Sequence, residues 1–288
     1  MKGLRFKAFR HRGRNGGNMF ITLWTLLAVC LTSMGFAKPA ECGAWEQNEN
    51  KITMTVLFDN YLHRKDCRSG WGFSCLIEGT EKTILFDTGT EPETLFHNVD
   101  RLKADLNKVE IIVISHDHQD HAGSLAALLS RKPKVRVYLP YSASNTLTER
   151  TRAAGAEVLK FNEPVEICRN VKLSGEMGTQ IKEQALIIQT TRGLVVLTGC
   201  SHPGIIDILA QVKKISEGEI NLVMGGFHLL QHSENQVERI VSQFRDLGVQ
   251  RVGATHCTGD KAIDIFRKAY APNFVELGVG RMIVVDSR

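Results

Sequence analysis

Residues 116–121 read His-Asp-His-Gln-Asp-His and follow directly on the apolar run Ile111-Ile112-Val113-Ile114. Neutral imidazole and carboxylate are donors that Zn²⁺ and related borderline cations accept. A strand rich in β-branched residues is stiff, so the loop leaving it can be held in one shape. His116, His118, Asp120 and His121 diverge from such a tight turn, which suits two cations side by side. The rival reading, a solvated turn that happens to contain three histidines, does not account for the other strand ends.

Those strand ends repeat one theme. Leu194–Thr198 runs into Gly199-Cys200-Ser201-His202, Ile220–Met224 into Gly225-Gly226-Phe227-His228, Arg251–Ala254 into Thr255-His256-Cys257, and Thr83–Phe86 into Asp87-Thr88-Gly89. Functional groups gather where strands end, and small residues there let the backbone crowd a metal centre. His256 and His202 are therefore expected as further ligands, and His228 as a substrate-facing group. Cys200 is either a thiolate ligand or a small buried hydrophobe. Asp87 is expected to orient a ligand histidine through its second ring nitrogen. Glu183, just before a strand, is a candidate proton shuttle. His11, His63, His97 and His232 lack such context and read as surface residues.

The elements that must position these groups alternate along the chain. Strands are expected at Ile52–Phe58, Gly72–Glu78 and Thr83–Phe86, the last two joined by a turn at Glu78-Gly79-Thr80. A helix over Ala122–Leu129 follows the ligand loop, then a strand at Val135–Leu139, a helix at Ser142–Ala154 and a strand at Glu157–Phe161. The second half alternates in the same way, with strands at Ala185–Gln189 and Leu194–Thr198, a helix at Gly204–Ile215, a strand at Ile220–Met224 and a helix at Glu234–Leu247. A strand at Arg251–Ala254, a helix at Lys261–Ala269 and an edge strand at Met282–Val285 complete it. Strand clusters followed by βα units in both halves imply two packed sheets with helices outside.

The formal charge of +5 misleads about partners. Lys2, Arg5, Lys7, Arg10, Arg12 and Arg14 precede any acidic residue; without these six, 30 basic side chains face 31 acidic ones. A nucleic-acid protein should carry its basic excess on the folded body, so no nucleic acid is expected and a small-molecule substrate is. The basic stretch, the apolar run from Met19 to about Leu31 and the site Gly35-Phe36-Ala37 have the layout of an export signal. Residues 1–37 are thus expected to be a cleaved signal peptide and 38–288 a single domain, periplasmic or extracellular. Membrane contact would be confined to the leader, as an anchor if it is retained. Oxidising surroundings would permit disulfides, with Cys67 and Cys75 the nearest pair, while Cys200 and Cys257, beside site histidines, should stay reduced.

Together these residues resemble the metallo-β-lactamase superfamily, through Asp87-Thr88-Gly89, the His-x-His-x-Asp-His loop and the later strand-end ligands. The nearest resemblance is to the 7,8-dihydropterin-6-yl-methyl-4-(β-D-ribofuranosyl)aminobenzene-5′-phosphate synthase-like subgroup. It rests on Gly72-Phe73-Ser74-Cys75-Leu76-Ile77-Glu78, Gly199-Cys200-Ser201-His202, Gly225-Gly226-Phe227-His228-Leu229 and His256-Cys257-Thr258-Gly259. The resemblance spans roughly residues 52–286. It implies an α/β (α+β) fold, the αββα sandwich of two mixed sheets with helices on both outer faces and a metal site at one edge. It implies that His116, His118 and a later histidine, His202 being the best placed, hold one metal, and that Asp120, His121 and His256 hold the other. The cofactor would be one or two Zn²⁺ ions, with Mn²⁺ or Fe²⁺ as alternatives. Cys200 departs from the pattern, since many members carry an aspartate there that bridges the two metals.

The activity expected is metal-dependent hydrolysis, in which a metal-bound hydroxide attacks a phosphate ester, phosphodiester or lactone. Asp120 would position that hydroxide and His228 would donate a hydrogen bond to the substrate. Alternatives are a transferase of the dihydropterin synthase type, an iron-dependent sulfur dioxygenase, and a metal-binding protein without catalysis.

Overall fold

The computed structural model describes residues 51–288, so the leader expected over residues 1–37, with Cys30, Cys42 and His11, lies outside the described residues. Thirteen strands and seven helices, numbered along the chain, make up this region. One sheet holds β1 (Lys51–Phe58), β2 (Ser74–Glu78), β3 (Thr83–Phe86), β4 (Val109–Val113), β5 (Arg136–Pro140), β6 (Glu157–Phe161) and β13 (Met282–Asp286), in the order β13-β1-β2-β3-β4-β5-β6. The other holds β7 (Val165–Cys168), β8 (Val171–Leu173), β9 (Leu186–Thr190), β10 (Gly193–Thr198), β11 (Ile220–Gly226) and β12 (Arg251–Thr255), in the order β12-β11-β10-β9-β8-β7.

Strand side chains alternate between faces, and here both faces are buried. Ile84, Phe86, Ile111 and Val113 of the first sheet meet Leu186, Ile188, Val195 and Leu197 of the second in a shared core. The alternate set, Leu85 and Ile112, turns outward under α1 (Pro92–Leu102) and α3 (Leu125–Arg131). Leu194, Val196 and Val223 turn outward under α5 (Ile205–Ile215), α6 (Glu234–Asp246) and α7 (Asp260–Tyr270). The result is the αββα sandwich. It also explains why the central strands read as unbroken apolar runs rather than as alternating ones.

Direction matters as much as layering. β3 and β4 run parallel, as do β10, β11 and β12. Their carboxyl-terminal ends therefore open together at one edge, where sheet proteins place ligands. Met282–Asp286 closes the far side by pairing with β1.

Some expectations need correction. The helix expected over Ala122–Leu129 is two: α2 (Gln119–Ala122), which contains Asp120 and His121, and α3. The two are separated at Gly123-Ser124, where the chain passes close to the carbonyl of Thr90. Strands β7 and β8 and helix α1 were not expected at all; the strands are too short for any periodicity to show. Cys67 and Cys75 do not pair: both are free buried thiols, Cys75 lying in the core between the sheets. Among the described residues no helix is long and apolar enough to cross a membrane.

Candidate metal centre

The donors expected from sequence converge in two adjoining sets. Asp120, His121, Cys200 and His256 form one, and His116, His118 and His202 form the other, each with its donor atoms within 4.8 Å of one another. In the first set His121 Nε2 lies 3.2 Å from Cys200 Sγ, which lies 3.3 Å from His256 Nε2. Asp120 Oδ2 is 3.2 Å from His256 Nε2 and 3.4 Å from His121 Nε2. Four donor–donor contacts of this length and a mutual spread within 4.8 Å put the four atoms close enough together to share one Zn²⁺, whose bonds to nitrogen and oxygen are about 2 Å long.

The second set is more open. His116 is buried, whereas His118 and His202 are partly exposed. His116 Nε2 faces His118 Nδ1 at 3.1 Å. The buried Nε2 of His202 has no hydrogen-bond partner. A buried polar atom without a partner is costly, and a cation among these three nitrogens would relieve it. Cys200 also lies with His202 and the exposed His228 in a third group of mutually close donors.

One carboxylate orients both sets. Asp87 Oδ2 accepts from His121 Nδ1 at 2.7 Å and from the Ser115 hydroxyl at 2.8 Å. Because Ser115 gives its proton to Asp87, its oxygen is left to accept from His116 Nδ1, 2.9 Å away. Asp87 Oδ1 accepts from the Ser115 amide. Both imidazoles are thereby fixed with Nε2 turned into the cluster, as histidine ligands are commonly held. His256 is fixed likewise, with Nδ1 donating to Asn60 Oδ1 at 2.9 Å.

Glu183 holds the loop that carries Cys200 and His202. Its Oε1 accepts from the amides of Gly199, Cys200 and Ser201, and its Oε2 from that of His202, all within 2.9–3.0 Å. A proton shuttle needs a free oxygen near the reacting groups, so the role expected for Glu183 is replaced by a positioning one. Gly199 is required in the same loop, because a Cβ there would stand 2.1 Å from Ser115 Oγ. Asp87, Ser201, His228 and His256 all adopt left-handed φ between 51° and 66°. Such strain in non-glycine residues persists where surrounding structure enforces it, and here it gathers at the strand ends.

The local charges sort the histidines. Burial lowers His121, but the attraction of Asp87 and Asp120 outweighs it and raises the ring to about 10. Burial also works against ionised Asp120, yet hydrogen bonds from His121 and His256 overcome it and hold the carboxyl well below its usual range. Burial and neighbouring imidazoles drive His116 far down, and the same causes bring His202 to about 4. Both rings are therefore neutral near pH 7, which is the form that binds metal.

Of the residues expected from sequence, His116, His118, Asp120, His121, His202 and His256 are brought together, with Cys200 among them and Asp87 behind them. His228 is exposed at the cluster's rim, its ring 4.3 Å from that of His202. His63 and His232 are exposed, and His97 sits away from the site, its Nε2 3.2 Å from the Asp66 carbonyl. Ser115, Asn60 and Trp71 were missed. The signal for Asn60 was present, since Asp59-Asn60 ends β1 just as Asp87 ends β3.

Residues 72–205 match the family model described as the metallo-β-lactamase superfamily. The chain is 27% identical over 284 residues to 7,8-dihydropterin-6-methyl-4-(β-D-ribofuranosyl)-aminobenzene-5′-phosphate synthase of Methanocaldococcus jannaschii, covering 81% of this chain and 97% of that one. It is 31% identical over 259 residues to an uncharacterized protein of the same organism, covering 79% and 98%. The crystal structure of a metal-dependent hydrolase of the β-lactamase superfamily superposes with a TM-score of 0.70 at 30% identity, over 82% of this chain and all of that one.

Proposed function

This chain belongs to the metallo-β-lactamase superfamily, and from that premise we propose that it is a metal-dependent hydrolase of phosphate esters, phosphodiesters or lactone-type small molecules. The observation carrying this reading is the meeting of a four-donor and a three-donor set at one sheet edge. Asp120, His121, Cys200 and His256 would hold one cation, and His116, His118 and His202 the other. Nitrogen, carboxylate and thiolate donors suit Zn²⁺; Fe²⁺ is the nearer alternative, because thiolate is a poor partner for Mn²⁺. When bound, the cations supply a water of pKa about 7 and polarise the scissile phosphoryl or carbonyl group.

The chain's own residues do the rest. Asp87 keeps one imidazole of each set in its binding tautomer, directly for His121 and through Ser115 for His116. Asp120, ionised by its two histidine neighbours, points its carboxylate into the cluster and helps place the attacking water. His228, exposed at the rim with its ring 4.3 Å from that of His202, would donate a hydrogen bond to a substrate oxygen, and its hydrogen bond with Cys257 raises its affinity for a proton.

Purified protein loaded with Zn²⁺ should hydrolyse members of a phosphodiester, phosphomonoester and lactone panel, and His118→Ala should abolish this while the fold survives. Equal turnover after metal removal would refute the proposal. One observation favours a second reading: the 27% identity to a synthase over nearly its whole length. An assay for coupling of labelled pterin and aminobenzene substrates separates the two, since a hydrolase yields no coupled product.

A further inference from the structure

Trp71 is an exposed aromatic side chain beside the donors. Its side chain is 53% exposed, yet its ring lies 5.1 Å from that of His256, tilted by 56°. It stands at one end of a row of contacts that passes from His256 to Cys200, then to His202, and ends at exposed His228. An anion seated on the donors would therefore have an indole on one side and an imidazole on the other.

The segment holding this indole is fixed rather than loose. The Trp71 carbonyl accepts from Thr90 Oγ1, and the Gly72 amide donates at 3.1 Å to Asn60 Oδ1, the same oxygen that holds His256. Gly72 has φ 147°, and a Cβ there would stand 2.4 Å from the Asp120 carbonyl. The peptide that follows the indole is thus tied to Thr90 and to Asn60, the residue that holds His256, and lies against the backbone of Asp120. Leu230, 61% exposed, packs over Gly259, three residues beyond His256 in the chain. Among the described residues no lysine or arginine forms an ion pair with a donor residue.

We infer that Trp71 is a stacking platform for a planar aromatic or heteroaromatic ring carried by the substrate, whose anionic group sits on the neighbouring donors. The inference rests on the metal-site reading above, and it narrows the substrate class to ring-bearing esters. Stacking exploits the indole's flat, rigid face and tolerates many aromatic rings, so it selects planar aromatic groups against saturated ones rather than one aromatic ring against another.

The test uses the full chain loaded with Zn²⁺ and calorimetric titration with 1-naphthyl phosphate, cyclohexyl phosphate and inorganic phosphate. Wild type should bind the naphthyl ester more tightly than the cyclohexyl ester by roughly five- to hundredfold, the range that stacking on one aromatic side chain commands. Trp71→Ala should erase most of that preference and Trp71→Phe should keep much of it, while inorganic phosphate binds all three proteins alike. Circular dichroism of each variant checks the fold, which an exposed side chain should not govern. An unchanged naphthyl preference in Trp71→Ala would overturn the inference, as would failure of wild type to bind the naphthyl ester. A Trp71-dependent ring preference without hydrolysis of any ester would sink the hydrolase proposal and leave the platform standing.

Discussion

The two donor sets differ in ways that separate holding from reacting. Asp120, His121, Cys200 and His256 offer four donors, buried except for partly exposed Asp120. Four protein donors complete a tetrahedral shell and characterise sites that grip a metal. His116, His118 and His202 offer three, two of them partly exposed, and three protein donors leave a coordination position open to water and substrate. The difference arises from local backbone. The first set draws on α2 and on the ends of β10 and β12, where His121, Cys200 and His256 are buried. The second includes His118, on the turn just before α2, and His202, the last residue of the Glu183-bound loop. An asymmetric pair of this kind would place chemistry at the three-histidine end.

That asymmetry shows most sharply in turnover. His118→Ala should reduce hydrolysis by at least the hundred- to thousandfold that one lost catalytic electrostatic contact costs, roughly, with a melting temperature close to wild type. His121→Ala should instead destabilise the fold itself. It strips Asp87 of a buried partner, and an uncompensated buried charge costs about 3–5 kcal/mol. Thermal melts of the two variants in chelator should therefore diverge; equal melting points would erase the distinction between the sets.

Glu183→Gln probes the loop the sets share. Replacing an oxygen by an NH₂ group turns at least one of the four amide contacts into a clash of donors. A loss of about 1–3 kcal/mol is expected, read from denaturant unfolding, with weaker metal retention at both sets. Asn60→Ala should be selective. It frees His256 Nδ1 and should weaken the four-donor set by about 10–100-fold in metal affinity, leaving the three-histidine set intact. Competition with a chromophoric chelator resolves the two.

The smallest effect concerns pH. Burial raises Asp59 to about 7 from an ordinary 3.8, against the pull of the Thr255 hydroxyl and neighbouring amides. The folded state thus favours the neutral acid, so its contribution is full below about pH 4 and fades as pH rises through 7. Relative to Asp59→Asn, wild type should lose stability between those limits, and parallel curves would refute the shift. Asp59 also holds Thr255, the residue before His256.

Much of this was legible in the sequence because strand ends are marked by composition. The Ile111–Ile114 run, the glycines and the histidines that follow strands reported both the layers and the residues that converge at the sheet edge. What was not legible depended on distant pairing. Asn60 reaches His256 across 196 positions of chain, and Ser115 joins Asp87 to His116 only because β3 and β4 lie side by side in parallel. Glu183 looked like a free acid from its place before a strand; only the folded 199–202 loop reveals that four amides occupy it. The split between α2 and α3 leaves no mark in the sequence because Ala122 and Leu125 both belong to apolar helical faces, while the break depends on how close Gly123 comes to Thr90.

Metal stoichiometry after loading with Zn²⁺ and extensive dialysis decides whether the two sets are separate sites. Two ions per chain are expected in wild type, and one, held by Asp120, His121, Cys200 and His256, in His118→Ala. A wild-type chain that retains no zinc, or a His118→Ala variant that loses both ions together, would contradict this division.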